Sequence, residues 1–577
     1  MDELPPAAPE VNASATEVID AWLGALRAPA QAPTAAHAPA AAARPRRSWL
    51  VTLAVALVVG VALGGSLYRL GESWLRAAPA PRPVRPAAPG PTAPGAAALG
   101  PVAPRPAPPA VDGASEPGLV ALNLRYNQTV EGLLQFRGNP SRTYYGEGPL
   151  PDRPRVLWRF PETGEPMCAE SWVGDEASIW CGTGWTGQPA LWERADGVTE
   201  VIFGAYDKSV HFLDAATGRR LRPDYPTGDI IKGSVTLDPD GDPLLYFGSR
   251  DNRLRVLALD RPAPTRLWDL PADFVHGIWN NDWDGNPVVL DDLLLQGGEN
   301  GYFFAIKLHR DYDAAGLVQI APELLVAYRG WTEALLEQVG DDNASIENSV
   351  TVFEERVYFA NSAGRVVGLD LREVQEGRAP VVFDFWLGDD VDASLVADEQ
   401  GMLYAAVELE RFLPRADELG QLVKLDPYRP DDPVVWSLAA PPGLRGEFRG
   451  GIWATPALAQ GVLYVATNSG QLLVVDADTG EVTWVDELGP HAWSSPVVVD
   501  GSLLVATCKG ELRRYSLDDP LHPRPVWSFR LRSEACIEST PAVWKGKILV
   551  GARDGYFYAI GDEPDAPAGE PPQGPQE

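Results

Sequence analysis

Seven side chains able to do ionic or stacking chemistry recur at one station of this sequence: Lys232, Asp284, Glu347, Asp392, Trp453, Trp493 and Glu538. Each stands two residues before a small residue that opens an apolar segment, at intervals of roughly 40 to 60 residues. Thr186 fills the same station in the first copy. If one fold position gathers them, four carboxylates, a lysine and two tryptophans face a common axis. Carboxylates crowded in this way raise a pKa, recruit Lys232 or bind a cation. Oxygen ligands suit Ca²⁺ rather than zinc, so the metal stays unknown but would be of that class. Trp453 and Trp493 would give a ring-shaped ligand a flat stacking surface. On the competing reading these residues only cap a channel and hydrogen-bond one another. Two registers stay open: an insertion lets Trp279 replace Asp284, and Glu170 stands in reach of the Thr186 station.

Other chemistry-bearing patterns are weaker. Asn280 to Asn286 and Asp238 to Asp242 are Asp-rich, but neither has a full twelve-position calcium loop, and ordinary turns are expected. The six histidines are scattered, without His-x-x-x-His or Cys-x-x-Cys. No Gly-x-Ser-x-Gly or phosphate-cradling loop occurs, so no catalytic residue is assigned. The four cysteines form two close pairs in sequence, Cys168 with Cys181 and Cys508 with Cys536. Three connectivities remain open to them.

The elements that must position these residues are written in a repeated sentence. Ala466 to Gly480 reads as strand, tight turn, strand and Asp-x-x-Thr-Gly turn, and Gly204 to Gly218 repeats it without a gap. Looser copies follow Gly248, Gly297, Ala360, Ala506 and Gly551. An apolar strand precedes each, often entered through proline, as in Ser494-Ser495-Pro496. An aromatic outer strand follows, as at Trp268, Trp436, Trp484 and Trp527. Four strands with tight turns make a small sheet that must pack on its neighbours, the blade of a β-propeller. Eight strand entries predict eight blades. The last copy stops at Ile560 without its outer strand, and Arg155 to Phe160 is an outer strand without a blade, so the two should join and close the ring. Seven blades and a decorated hairpin is the competing count, because Glu408 to Gly420 interrupts the fifth.

These units resemble the repeats of the pyrroloquinoline-quinone-type (PQQ-like) propellers, and Gln135-Phe136-Arg137-Gly138-Asn139 resembles the segment that often precedes their first blade. The resemblance implies an all-β, eight-bladed propeller of four-stranded antiparallel blades over 119–562. It implies no single function, since quinone dehydrogenases and the outer-membrane assembly scaffold lipoprotein share the fold. A dehydrogenase of this type would bring PQQ and Ca²⁺, a disulfide between adjacent cysteines and a tryptophan beneath the cofactor. This chain has no Cys-Cys dipeptide and no Cys-x-x-Cys-His haem signal. The scaffold lipoprotein carries a lipidated cysteine, whereas all four cysteines here lie far downstream.

The rest of the chain is not a second globule. Residues 1–47 are rich in Ala and Pro, with an amphipathic helix predicted over 16–27 behind a Ser14 to Glu17 capping box. Ser48 to Tyr68 is uncharged and of membrane length, with Trp49 and Tyr68 at its ends. It predicts a single transmembrane helix. Arginines flank it on both sides, so charge alone leaves orientation open. Residues 69–118 are a disordered Pro/Ala linker that could reach on the order of 100 Å when extended, and 563–577 form a disordered tail. Paired cysteines would need an oxidising compartment. A formal charge of −31 opposes nucleic acid and anionic membrane surfaces as partners.

The expected protein is therefore anchored in the bacterial cytoplasmic membrane, with its propeller in the periplasm. It acts as a non-catalytic binding or scaffolding module for an envelope protein or small ligand. A PQQ- and Ca²⁺-dependent dehydrogenase, and a sensor signalling through the span to the 16–27 helix, are the alternatives.

Overall fold

The computed structural model describes residues 129–562, apart from 174–175, 185–186 and 442–449. The expected tail, amphipathic helix, membrane span, linker and C-terminal tail lie outside the described residues. Among the described residues no helix is long and apolar enough to cross a membrane.

Each repeated sentence forms one sheet. In the sixth blade Ala457–Ala459, Val462–Ala466, Gln471–Asp476 and Val482–Glu487 pair in chain order, all antiparallel. Its middle strands are apolar wherever they are buried, Val462–Ala466 throughout and Leu472–Val475, because both faces are covered by neighbouring blades. Gly470 turns the hairpin at φ +79°, where a Cβ would strike the Gly489 carbonyl. The register slips by one residue between the third and fourth strands here, at Val474/Val475. The same bulge recurs in the second, third, fourth, fifth, seventh and eighth blades. A bulge adds right-handed twist, which lets each outer strand follow the ring.

Eight such sheets are present, and the ring closes as expected. Arg155–Phe160 pairs antiparallel with Phe557–Gly561, so Arg155 faces Gly561 and Phe160 faces Phe557. Phe203 of the first blade then stacks on Phe557 of the eighth at 3.9 Å. The blades are not uniformly four-stranded. Gly132–Leu133 adds an inner strand to the first, and Gly146–Glu147 adds a parallel one to the eighth. The Glu408 to Gly420 insertion leaves the fifth blade intact; Glu408–Leu409 pairs with Gly450–Gly451, and Pro414–Leu419 is a short helix.

Small residues at the strand entries weld neighbouring blades. The backbone N–H of Asn286 donates to Ser349 Oγ, Ser349 to Ser394, Ser394 to Thr455 and Thr455 to Ser495, at 2.9–3.0 Å. A hydroxyl is needed because each N–H would otherwise be buried without a partner.

Residues 133 to 147 run along the inner edges of the ring. Leu237 and Val352 donate their N–H to Leu134 and Pro140, Ala397 to Ser141, and Leu458 to the Tyr145 hydroxyl. Arg137 is fully buried and donates to the carbonyls of Thr455 and Pro456 at 2.6 Å and to that of Pro496. Its backbone N–H bonds Gln188 Oε1 at 2.8 Å. The Phe136 N–H also donates to Asn286 Oδ1 of the third blade at 3.2 Å, so the stretch from Gly132 to Glu147 around this leader is a staple that reaches every blade.

Candidate functional site at the channel mouth

The strand-entry station is not alone at this end of the ring. The residue two places earlier in each strand-entry segment adds Asp282, Asp390, His491 and Cys536. The turn between the second and third strands adds one more residue per blade. Counting two residues past the Gly or Ala that ends the repeated strand gives Tyr206, Arg250, Glu299, Ser362, Glu408, Asn468, Cys508 and Arg553.

In the second and third blades these stations form a compensated ion cluster. Lys232 Nζ pairs with Glu299 at 3.0 Å, with Asp282 at 3.3 Å and with Asp284. Arg250 approaches Asp282 at 3.6 Å and Asn280 donates to Glu299. Burial opposes the Lys232 charge, but Asp284, Glu299 and Asp282 outweigh it and hold the ammonium protonated. Burial pushes the Asp282 carboxyl up to about 6, against the pull of Lys232.

The fourth and fifth blades carry the opposite balance. Glu347, Asp390, Asp392 and Glu408 converge with Glu410, and Arg411 is the cation near them, 3.7 Å from Asp390. Burial pushes Glu347 up to about 7, with the Glu299 charge adding to it. Asp390, Asp392 and Glu408 are raised well above the ordinary carboxylate range by burial and then by one another. Asp390, 3 % exposed, keeps Oδ1 without a hydrogen-bond partner. Asn468 donates to Glu408 at 3.0 Å and Trp453 Nε1 donates to Asp392 at 2.8 Å.

Trp453 and Trp493 touch, but not as a flat platform. Their rings meet edge to face, at 75° and 4.7 Å, because Trp453 turns its indole N–H toward Asp392. His491 lies against Trp493 at 4.2 Å. Glu538 faces Arg553 at 3.6 Å, and Arg553 lies over the rings of Tyr206 and Trp180, at 4.9 and 5.1 Å.

The structure therefore brings Lys232 to Asp284, Asp392 to Trp453, and Trp453 to Trp493. Glu347 lies electrostatically between the first two groups, and Glu538 stands apart with Arg553. Asp284, fully buried, holds its station, whereas Trp279 is 61 % exposed with a left-handed backbone, φ +65°. Thr186 lies outside the described residues, and Glu170 is exposed on the Cys168–Val173, Glu176–Cys181 hairpin. Both disulfides take the pairing that sequence proximity suggests, Cys168 with Cys181 and Cys508 with Cys536.

The Asn280 to Asn286 loop is more than an ordinary turn, since it supplies Asp282 and Asp284. The Asp238 to Asp242 loop has its cation already. Arg310 reaches Asp238 at 2.7 Å, Asp240 at 2.8 Å, and Asp242 and Asp292 at 3.3 Å. Glu299, Glu408 and Asp390 escape a reading of the entry station alone. Two signals expose them: the Asp-x-Asp spacing at 282/284 and 390/392, and the residue that varies after each repeated Gly or Ala.

Asp282, Asp284 and Glu299 bring carboxylate oxygens within 4.8 Å of one another, a donor set for Ca²⁺. Lys232 stands among them, so calcium does not fit beside the protonated lysine. The cofactor-covering disulfide between adjacent cysteines is also missing from the sequence.

Residues 420–561 match the PQQ_2 family, described as outer membrane protein assembly factor BamB. No curated protein matches the chain. Among solved structures, the quinohemoprotein alcohol dehydrogenase ADHIIG from Pseudomonas putida HK5 is similar at 11 % identity over 78 % of this chain and 84 % of its own, TM-score 0.51. A europium-containing methanol dehydrogenase is similar at 12 % identity over 76 % of this chain and all of its own, TM-score 0.51. BamB from Moraxella catarrhalis aligns at 11 % identity over 71 % and 98 %, with a TM-score of 0.34 that carries no argument. The repeats are PQQ-like, and likeness at these identities shows the fold alone.

Proposed function

We propose that this propeller is a non-catalytic binding module whose mouth receives a cationic group of an envelope protein. One observation carries the reading. Lys232 and Arg250 neutralise one half of the mouth from within, whereas among the described residues Asp390, Asp392 and Glu408 have Arg411 as the cation beside them and Lys232 extends only to Glu347. A lysine or arginine entering beside Trp453 would complete that half and gain a cation–π contact. Phe412, 58 % exposed next to Arg411, would line the approach. The family description of the matched repeats, an assembly factor, supports a binding role. We place the propeller in the periplasm, anchored by Ser48 to Tyr68; the two disulfides support an oxidising compartment.

The test is a photo-crosslinking amino acid at Phe412 in the full-length protein in cells. Adducts that disappear with Asp392→Asn and Glu408→Gln would support the reading. Adducts unchanged in both would sink it.

The dehydrogenase reading draws on the same fold in the two solved enzymes, but the Lys232 cluster argues against its calcium. Thermal unfolding with PQQ and Ca²⁺ separates the readings. A shift that vanishes in Trp453→Ala or Glu538→Ala would favour the enzyme.

A further inference from the structure

His491, Cys508 and Cys536 occupy the stations that elsewhere in the ring hold carboxylates. His491 and Cys536 are counterparts of Asp282 and Asp390, and Cys508 is the counterpart of Glu299 and Glu408. Two strand-entry segments and one hairpin turn, from the seventh and eighth blades, thus deliver one imidazole nitrogen and two sulfurs to one point. Their ligand atoms all lie within 4.8 Å of one another. Ligands around a tetrahedral zinc stand about 3.6 Å apart, so small side-chain rotations suffice once the sulfurs are not bonded together. His491 is buried and braced against Trp493 at 4.2 Å, while both cysteines are partly exposed and open to a reductant. The other disulfide differs. Among the described residues, no histidine or carboxylate completes a comparable trio around Cys168 and Cys181.

We propose that His491, Cys508 and Cys536 form a redox-gated site for a thiophilic cation, Zn²⁺ or Cu⁺. A dithiol reductant gives two electrons and two protons to the Cys508–Cys536 bond and itself becomes a disulfide. The cation then binds the two thiolates and the imidazole, releasing the two thiol protons to water. Exchange with a disulfide oxidant, which takes up the two electrons and two protons and leaves as a dithiol, re-forms the Cys508–Cys536 bond and expels the metal. Three protein ligands leave a fourth position for water or a solute. Two thiolates and an imidazole select a soft or borderline metal.

The test uses the full-length protein, reduced with a phosphine that is then removed, and titrated with Zn²⁺ against a chromogenic chelator. Co²⁺ provides an optical reading of thiolate ligation. The expected result is one equivalent bound by reduced protein with thiolate-to-cobalt charge-transfer absorption, and none by oxidised protein. Cys508→Ser should abolish it, His491→Ala should weaken it at least tenfold, and Cys168→Ser with Cys181→Ser should leave it intact. Wild type and His491→Ala are compared in the same reduced state, with near-UV circular dichroism confirming that both stay folded, so the loss of the disulfide is common to both. Equal binding by oxidised and reduced protein, or no stoichiometric binding after reduction, would overturn the site.

Discussion

The Lys232 ammonium lies 3.0 Å from Glu299 and 3.3 Å from Asp282, one carboxylate from a hairpin turn and one from the strand-entry segment of the next blade. With Asp284 they surround the ammonium on the side where a divalent cation would otherwise sit. Lys232→Ala should therefore turn an ion cluster into a calcium site. Without calcium, the variant should lose about 3–5 kcal/mol, the cost of leaving buried charges unpaired. Calcium at 100 times its Kd should restore about 2.7 kcal/mol. Thermal unfolding of both proteins across a calcium series measures this, and an equal calcium response in wild type and variant would disprove the substitution.

Glu347 predicts a pH dependence of the acidic half. Its carboxyl titrates near 4.5 in the unfolded chain and near 7 in the folded one. Below the unfolded value its contribution is fully present; as pH rises through about 7 it is lost, because only the folded state must give up a buried proton. The loss is about 3 kcal/mol between pH 4 and 8. Glu347→Gln should remove it, giving a variant that gains on wild type as pH rises. Urea midpoints at the two pH values decide.

His211 works in the opposite chemical sense. It is buried with Nε2 3.1 Å from Asp207 and Nδ1 3.2 Å from Asp224, pinning a hairpin turn to the outer loop of the first blade. Burial lowers its pKa, but the bonds to Asp207 and Asp224 outweigh burial and raise it. This stabilisation is fully present below the unfolded value of 6.5 and fades as pH rises through the folded value. His211→Gln should flatten that step; proton titration by NMR with a value at or below 6.5 would refute it.

Arg137 predicts the strength of the staple. Truncation to Ala frees three buried carbonyls, of Thr455, Pro456 and Pro496, each costing about 1–3 kcal/mol when left without a donor. Arg137→Ala should cost at least about 3 kcal/mol with an unchanged urea slope. Arg137→Lys should recover little, because one ammonium cannot span carbonyls on two blades as a guanidinium fork does. A Lys variant as stable as wild type would refute the bridging role.

The sequence alone pointed to a propeller of eight blades, with seven as the competing count, to its closure by Arg155–Phe160 and to the entry station, because strand period, turn glycines and repeat spacing are local properties written residue by residue; the structure decided the count. It also aligned Lys232, Asp284, Glu347, Asp392, Trp453, Trp493 and Glu538 at one repeat position, with Trp279 open in place of Asp284. Only the tertiary structure decided what those residues do to one another. Whether a carboxylate stands beside Lys232 or beside another carboxylate depends on which hairpin of the neighbouring blade reaches it. Glu299, Glu408 and Cys508 arrive from those hairpins, and the edge-to-face turn of Trp453 follows from Asp392 across a blade boundary. Charge balance is a property of the assembled ring, since burial strengthens each pairing and each lack of one.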